Sequence, residues 1–171
     1  MRNTVRENNA EHSLMVSFIA HCLAVIENKM FGGHYDACRI GMIGAYHEAS
    51  EVITGDMPTP IKYFSVEMRD AYKSVESVAR DRILSTLPDI LKDEYESIIN
   101  APAEEYKLVK YADKLPAYIK CIEETATGNS EFGKARRTIE KELKGYKSKS
   151  VDYFMDTFVS SFALTLDDLS Q

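Results

Sequence analysis

Residues 11–28 read EHSLMVSFIAHCLAVIEN, and this stretch decides the class of fold. Its apolar residues follow one another at intervals of four, which places them on one face of an α-helix: Leu14, Phe18, Cys22 and Ile26. A strand would instead alternate apolar and polar residues at every second position. We therefore predict a long helix over 11–28, with this face turned towards the core.

Helical spacing returns through most of the chain, and we find no convincing strand. Proline, glycine and capping residues divide the rest into helices over 36–54, 65–87, from Pro88 to Pro102, and over 104–127, 130–146 and 151–164. The helix over 104–127 has a clear predicted core face: Leu108, Ala112, Leu115, Ile119 and Ile122. The segment GDMPTP at 55–60 is predicted to be a loop. The expected fold is an all-α, single helical bundle of about six or seven helices.

Chain length and charge limit the functions that are open. The chain has 171 residues, which suits one domain over 1–171. Its 21 basic and 27 acidic residues give a net charge of −6. Since nucleic-acid polymers are held largely by Lys and Arg at phosphates, we expect no such partner. A small phosphorylated ligand stays possible, because a local charge arrangement can override the net sign.

Cysteines and hydropathy bear on the compartment. The three cysteines, Cys22, Cys38 and Cys121, are odd in number and form no CxxC pair. We expect buried reduced thiols rather than a disulfide framework or a thiolate zinc site. The longest apolar run, 14–26, is interrupted by His21 and is shorter than the roughly 20 residues of a membrane span. We predict a soluble, cytoplasmic protein with no membrane partner.

Three short stretches combine imidazole and carboxylate groups: EHSL at 11–14, HEASE at 47–51 and ADK at 112–114. On the predicted second helix, His47 and Glu48 lie four and three residues before Glu51. Adding His12 and Asp113 from other helices would give a mixed nitrogen and oxygen site. Such a site suits Zn, Mn, Fe, Co or Ni far better than Ca.

Each of these groups also has an ordinary explanation. A histidine near a helix start commonly caps it or faces solvent, and an adjacent His-Glu pair is common on exposed helix faces. Asp113 could form a surface ion pair with Lys114. However, Asp113 lies among Leu108, Ala112 and Leu115, where a carboxylate needs a reason to be present. Spacing alone leaves the metal site and these alternatives open.

Four segments resemble the bacterial 5′-deoxynucleotidase branch of the HD-domain phosphohydrolases, whose signature is a His, then a His-Asp pair on a helix, then a distant Asp. They are RNTVRENNAEHSL (2–14), YHEASEVITGDMPTPIKYF (46–64), KLVKYADKLPAYIKCIEE (107–124) and VDYFMDTF (151–158). The resemblance covers essentially the whole chain. It implies an all-α HD domain, a divalent metal cation, a homodimer, and hydrolysis of deoxynucleoside 5′-monophosphates to deoxynucleoside and phosphate.

The resemblance also implies roles for individual residues. The positions that match metal ligands are His12, His47, Glu48 and Asp113, with Co, Mn, Zn, Ni or Fe as the candidate ion. Glu51 matches the acidic residue that works beside the metal and is the expected catalytic residue.

Three further residues are expected to bind substrate. Asp56, in the loop after the second helix, matches a residue that reads the sugar 3′-hydroxyl. Thr59 and Lys62 lie in the same loop and are candidate substrate contacts, although a loop hydroxyl and a surface lysine also have ordinary explanations.

Two features depart from the family pattern. Glu48 stands where the family has the Asp of its His-Asp pair. Met1 lies only eleven positions before His12 and the chain has no Trp, so we expect it to lack the family's N-terminal helix. Two other functions stay open, the first because the metal ligands do not distinguish the two reactions. One is a deoxynucleoside triphosphate triphosphohydrolase of the same superfamily. The other is a non-catalytic nucleotide-binding protein, if these departures abolish activity.

Overall fold

The computed structural model describes residues 3–4, 7–62, 64–164 and 167–168, and the regular structure in them is helical without a strand. The described residues contain seven helices of ten residues or more and two single helical turns. They are α1 (Asn9–Met30), α2 (Ala37–Tyr46), α3 (Glu51–Thr54), α4 (Thr59–Lys62), α5 (Val66–Leu84), α6 (Asp89–Ile99), α7 (Ala103–Ala126), α8 (Phe132–Gly145) and α9 (Lys149–Phe158), followed by a 3₁₀ helix (Val159–Ala163). The predicted all-α class is confirmed.

The chain divides into two compact units. The first combines Met1–Ala45 with Ala103–Gln171, and the second is the continuous stretch Tyr46–Pro102. The first unit holds α1, α2 up to residue 45, and α7 to α9, whereas the second holds α3 to α6. That residues 1–171 form a single domain stays a prediction.

Helix α7 is the centre of the first unit. It packs against α1 and α8, and α1 also packs against α9. The face predicted to be buried on α7 is confirmed, since each of its five residues is almost inaccessible to solvent: Leu108, Ala112, Leu115, Ile119 and Ile122.

The predicted core face of α1 is wrong. Leu14 and Phe18 are 54 % and 66 % exposed. The buried row contains Val16, Ile19, Ala20, Leu23, Ala24 and Ile26, so only Ile26 belongs to both rows. Apolar residues surround α1, so spacing by four did not identify a unique face, and the contacts with α7 and α9 decide which row is buried. Among the helices of the described ranges, only α1 is long and apolar enough to cross a membrane. Core helices of globular proteins have the same length and composition.

Small residues let α2 approach α1 closely. A Cβ added at Gly44 would lie 3.0 Å from the Cα of Ser17, and one added at Gly41 would lie 3.3 Å from the Cβ of His21. Since the first distance is to backbone, which cannot swing aside, Gly44 marks the point of closest approach.

The predicted helix over 36–54 is interrupted. Its predicted N-cap is confirmed, because Asp36 accepts a hydrogen bond from a backbone N–H of the next turn. However, α2 ends at Tyr46, turns occupy residues 47–50, and α3 begins at Glu51. In this region the N–H of Ala49 donates to the carbonyl of Tyr46 at 3.0 Å, and that of Glu51 to the carbonyl of Glu48 at 2.9 Å. These bonds span three residues instead of four, so the segment HEASE winds more tightly than an α-helix.

In the second unit, α3, α4 and α6 pack against α5. The predicted cap of α5 is confirmed, since the Ser65 hydroxyl accepts the N–H of Met68 at 3.1 Å. Tyr72 is the buried aromatic residue on α5, and the rings of Tyr46 and Tyr95 meet edge to face with centroids 6.0 Å apart. Helix α5 also contacts the loop after α3, since the Tyr72 hydroxyl donates to the carbonyl of Gly55.

The three cysteines are free thiols, but they differ in exposure. Cys121 is buried and Cys22 is half-buried, and burial raises the pKa of both thiols. Cys38 is exposed, so the expectation of three buried thiols is wrong at this position. It lies in the first turn of α2 and is not among the buried residues of that helix.

Candidate active site

A capping box fixes where α1 begins and therefore where His12 lies. The Asn8 side chain accepts the backbone N–H groups of Ala10 and Glu11, and the Glu11 carboxylate accepts the N–H of Asn8 in return. The N–H of His12 donates to the Asn8 carbonyl at 3.0 Å. His12 is thus held in the first turn of the helix.

His12 and Asp113 form a pair in the first unit. The imidazole Nε2 of His12 lies 3.0 Å from Oδ1 of Asp113, and both residues are partly buried. The pair joins the first turn of α1 to the middle of α7.

Lys114, the residue after Asp113 on α7, and Tyr146, just after α8, both contact Glu142 of α8. Nζ of Lys114 lies 3.2 Å from Oε1 of Glu142, so the lysine has an acidic partner on α8. The Tyr146 hydroxyl donates to the same oxygen at 3.3 Å, and its ring stacks on that of Tyr111. Burial, followed by the negative charges of Glu142 and Asp113, raises the pKa of Tyr146. Tyr146 therefore stays a neutral hydroxyl donor at physiological pH.

His47 and Glu48 form a second pair, within the second unit. Both belong to the turns that follow α2, and Nε2 of His47 lies 3.8 Å from Oε1 of Glu48. The His47 side chain is only 6 % exposed, whereas that of Glu48 is partly exposed. The 3.8 Å separation places the two side-chain groups near one point, although the residues are adjacent in the chain.

Both pairs fit a divalent metal ion. Imidazole nitrogen and carboxylate oxygen bind such ions at about 2.0–2.2 Å, so two ligands of one ion lie at most about 4.2 Å apart. The donor atoms of the two pairs are 3.0 Å and 3.8 Å apart, within this limit. The donor set is the mixed nitrogen and oxygen type that suits transition metals and zinc.

Glu51 is tied to Glu48 through the backbone. It is the first residue of α3 and is partly buried, and its N–H donates to the Glu48 carbonyl at 2.9 Å. The turn over 47–50 therefore sets the positions of the proposed ligand and the expected catalytic residue together.

Asp56 is exposed and follows a glycine turn. Gly55 has φ of +68°, a conformation that residues with a Cβ rarely adopt. Its carbonyl accepts the hydroxyl of buried Tyr72 at 3.3 Å. The loop that presents Asp56 is thus anchored to α5 directly before this residue.

The two remaining candidates belong to a helical turn and not to an open loop. Thr59 begins α4 and Lys62 ends it. Nζ of Lys62 lies 2.8 Å from Oε1 of Glu76 and 4.5 Å from the centre of the Tyr72 ring. A substrate phosphate would have to share Lys62 with this carboxylate.

Sequence reasoning missed Glu7. Its Oε1 lies 3.6 Å from Nδ1 of His12, and its Oε2 lies 3.1 Å from Nζ of Lys120. Glu7 precedes the cap of α1, so no helical spacing connects it with His12. The signal that could have found it is its place inside the segment 2–14 that resembles the family.

The chain resembles known proteins over its full length. A family model described as 5′-deoxynucleotidase YfbR-like matches residues 1–162. The chain belongs to this family. The family predicted from the sequence is thereby confirmed, while the roles of single residues stay predictions.

Individual relatives agree with this family. Two curated proteins named 5′-deoxynucleotidase YfbR, from Salmonella paratyphi B and Shigella boydii serotype 18, are 48 % and 47 % identical to the chain, and each alignment covers 100 % of this chain and 87 % of the relative. A crystal structure of an HD-domain phosphohydrolase from Listeria innocua superimposes with a TM-score of 0.79, covering 99 % of this chain and 83 % of that one at 21 % identity. The superposition shows that this YfbR-like chain has the HD-domain fold.

Proposed function

We propose that the chain is a metal-dependent 5′-deoxynucleotidase, a phosphoric monoester hydrolase that converts deoxynucleoside 5′-monophosphates to deoxynucleoside and phosphate. The observation that carries this proposal is the 48 % identity, over the whole chain, to curated relatives of that name. The imidazole and carboxylate pairs of the two units support it, because they have the chemistry that a metal-assisted hydrolase needs.

The proposed metal ligands are His12, His47, Glu48 and Asp113. When bound, a divalent cation such as Co, Mn, Zn, Ni or Fe supplies Lewis-acid stabilisation of phosphate charge and acidification of water. Glu48 ligates in this proposal although the family has Asp there, since carboxylates of either length bind such metals. Its 3.8 Å separation from His47 supports the assignment.

Glu51 acts as the proton-transfer group. Its carboxylate orients or deprotonates the attacking water, or protonates the departing 5′-oxygen, and such transfer contributes about 10²–10⁴-fold to rate. Asp56 accepts a hydrogen bond from the sugar 3′-hydroxyl, and Thr59 and Lys62 are further candidate substrate contacts. The anchoring of Gly55 by Tyr72 supports the role of Asp56, because an anchored loop presents its carboxylate in one place.

The active form is a cytoplasmic homodimer with no nucleic-acid polymer and no membrane partner. Exposed Leu14 and Phe18, one turn apart on α1, supply an apolar surface that a second copy could cover. The net charge of −6 disfavours nucleic acid. Free thiols at Cys22, Cys38 and Cys121 suit a reducing compartment.

A substrate panel tests the activity. Deoxynucleoside and ribonucleoside mono- and triphosphates are incubated with the purified chain and Mn, Co or Mg, and the released phosphate, pyrophosphate and triphosphate are measured. We expect phosphate from deoxynucleoside monophosphates. Triphosphate released in one step would instead identify a triphosphohydrolase, and binding of a deoxynucleotide without product would identify a non-catalytic protein.

Elemental analysis tests the metal ligands. Protein purified without chelator is compared with Glu48→Ala and Glu48→Asp variants. We expect bound metal in the wild type and in Glu48→Asp, and loss of metal in Glu48→Ala. Less than roughly a tenth of an equivalent in the wild type, not recovered on adding Mn or Co, would overturn the metal site.

A further inference from the structure

We propose that Glu7 is a positioning residue, whose carboxylate holds the imidazole of His12 so that Nε2 is the metal-binding nitrogen. The inference rests on the proposed function, because it concerns a proposed ligand of the metal. It adds a residue to the site that lies outside every helix.

Two carboxylates approach His12 from opposite ring nitrogens. Oδ1 of Asp113 lies 3.0 Å from Nε2, and Oε1 of Glu7 lies 3.6 Å from Nδ1. The second separation is longer than a hydrogen bond, so Glu7 acts on the ring through its negative charge. Loading Nε2 with a metal increases the acidity of Nδ1–H, and we expect this contact to shorten.

Glu7 is itself held in place. Its second carboxylate oxygen lies 3.1 Å from Nζ of Lys120. Lys120 and Asp113 are seven positions apart on α7, which places them two turns apart on the same side of that helix. Helix α7 thus supplies Asp113, which faces Nε2, and Lys120, which holds the Glu7 carboxylate that faces Nδ1.

Histidines that bind metals commonly donate their other ring N–H to a carboxylate. This partner fixes the tautomer and raises the basicity of the ligating nitrogen, and its loss typically weakens metal binding about 10–100-fold. Glu7 is the carboxylate that faces Nδ1 of His12, and it would accept this N–H once the 3.6 Å contact shortens. A Gln at position 7 would keep an acceptor oxygen but lose the charge, whereas an Ala would lose both.

The neighbourhood offers a matched control. Glu7, Lys120 and Glu123 line one cavity of about 350 Å³ in the first unit. Burial and then the nearby Glu7 charge raise the pKa of Glu123. Changing Glu123 to Gln removes a carboxylate from the same cavity, on the same helix as Lys120, and leaves the side chains of Glu7 and His12 in place.

The test measures metal affinity and tautomer on the full chain. Co²⁺ is titrated calorimetrically into metal-free wild type, Glu7→Ala, Glu7→Gln and Glu123→Gln. We expect affinity to fall about 10–100-fold in Glu7→Ala, less in Glu7→Gln, and to stay within about twofold in Glu123→Gln. In metal-free protein, ¹⁵N NMR should show a smaller share of the His12 tautomer protonated on Nδ1 in Glu7→Ala than in the wild type.

Several results would overturn the inference. These are an unchanged Co²⁺ affinity and tautomer in Glu7→Ala, or an equal loss in Glu123→Gln. If Glu7→Ala fails to fold by circular dichroism, Lys120→Met takes its place, and an unchanged affinity there counts against the proposal. Wild type that binds no Co²⁺ would overturn the ligand set and this inference together. Wild type that binds Co²⁺ with the Glu7 effect but hydrolyses no deoxynucleotide would overturn only the proposed function.

Discussion

Nε2 of His12 lies 3.0 Å from Oδ1 of Asp113, although 101 positions separate the two residues in the chain. The contact exists because α1 and α7 pack against each other. The capping box at Asn8 then sets the turn of α1 on which His12 lies. The pair is therefore a product of helix packing, and its geometry depends on elements that contain no other proposed ligand.

Replacing Glu51 by Gln keeps the volume of the side chain but removes the group that accepts or donates a proton. We expect turnover of a deoxynucleoside monophosphate to fall about 10²–10⁴-fold, while bound metal is retained. Phosphate release and elemental analysis measure the two effects. Glu94→Gln, at an exposed position on α6, is the control and should leave turnover unchanged. Turnover of Glu51→Gln within a few-fold of wild type would remove Glu51 from catalysis.

Replacing Asp56 by Ala should erode the discrimination between deoxyribose and ribose. We expect the carboxylate that accepts the 3′-hydroxyl to leave no space for a neighbouring 2′-hydroxyl. The ratio of kcat/KM for a deoxynucleotide to that for its ribonucleotide should fall about 5–150-fold, which corresponds to about 1–3 kcal/mol. Asp93→Ala on the exposed side of α6 is the control. Unchanged selectivity would exclude Asp56 from the sugar site.

The two long helices show what apolar spacing can and cannot predict. On α7 the apolar residues form one row between charged residues, so Leu108 and Ile119 were assigned to the core correctly. On α1 the apolar residues occur on all sides, and Phe18 is exposed. When apolar residues surround a helix, its packing partners determine which face is buried. The sequence of the helix alone therefore does not predict that face.

The site was predictable in composition but not in local geometry. The resemblance identified the imidazole and carboxylate residues, whereas the regular helix expected from His47 to Glu51 is replaced by turns over residues 47–50. Apolar spacing does not distinguish a 3₁₀ turn from an α-helix over so short a segment, because the two have similar numbers of residues per turn. The partners of Lys62 and His12, namely Glu76 and Glu7, depend on tertiary contacts and were not predicted.

Replacing Gly44 by Ala should destabilise the first unit, because the new Cβ would lie 3.0 Å from the Cα of Ser17. We expect a loss of about 1–3 kcal/mol in the free energy of unfolding, measured by urea denaturation. Gly133→Ala in α8 is the matched control, since nothing lies within 4 Å of its Cβ position. That variant should be neutral or more stable by up to about 1 kcal/mol. Equal effects of the two substitutions would contradict the close approach of α2 to α1.

The thiols should react with iodoacetamide in a defined order. Cys38 is exposed and should be alkylated first. Burial raises the pKa of Cys22 and Cys121, so less thiolate is present at pH 8, and their alkylation should be slower and accelerate as the pH rises. Mass spectrometry of peptides over time measures the order. In Cys38→Ser the fast phase should disappear, and a fast phase that persists would show that another cysteine is accessible.

The two units differ in how synthesis on the ribosome can complete them. Residues 46–102 are contiguous, so their helices can associate as soon as they emerge. Helix α1, by contrast, must wait for α7, which ends at Ala126. At a synthesis rate of about 5–20 residues per second, the buried row of α1 stays without its partner for roughly 5–20 s. During that interval Leu23 and its neighbours are accessible to chaperones, so α1 is buried later than the helices of residues 46–102, which are synthesised after it.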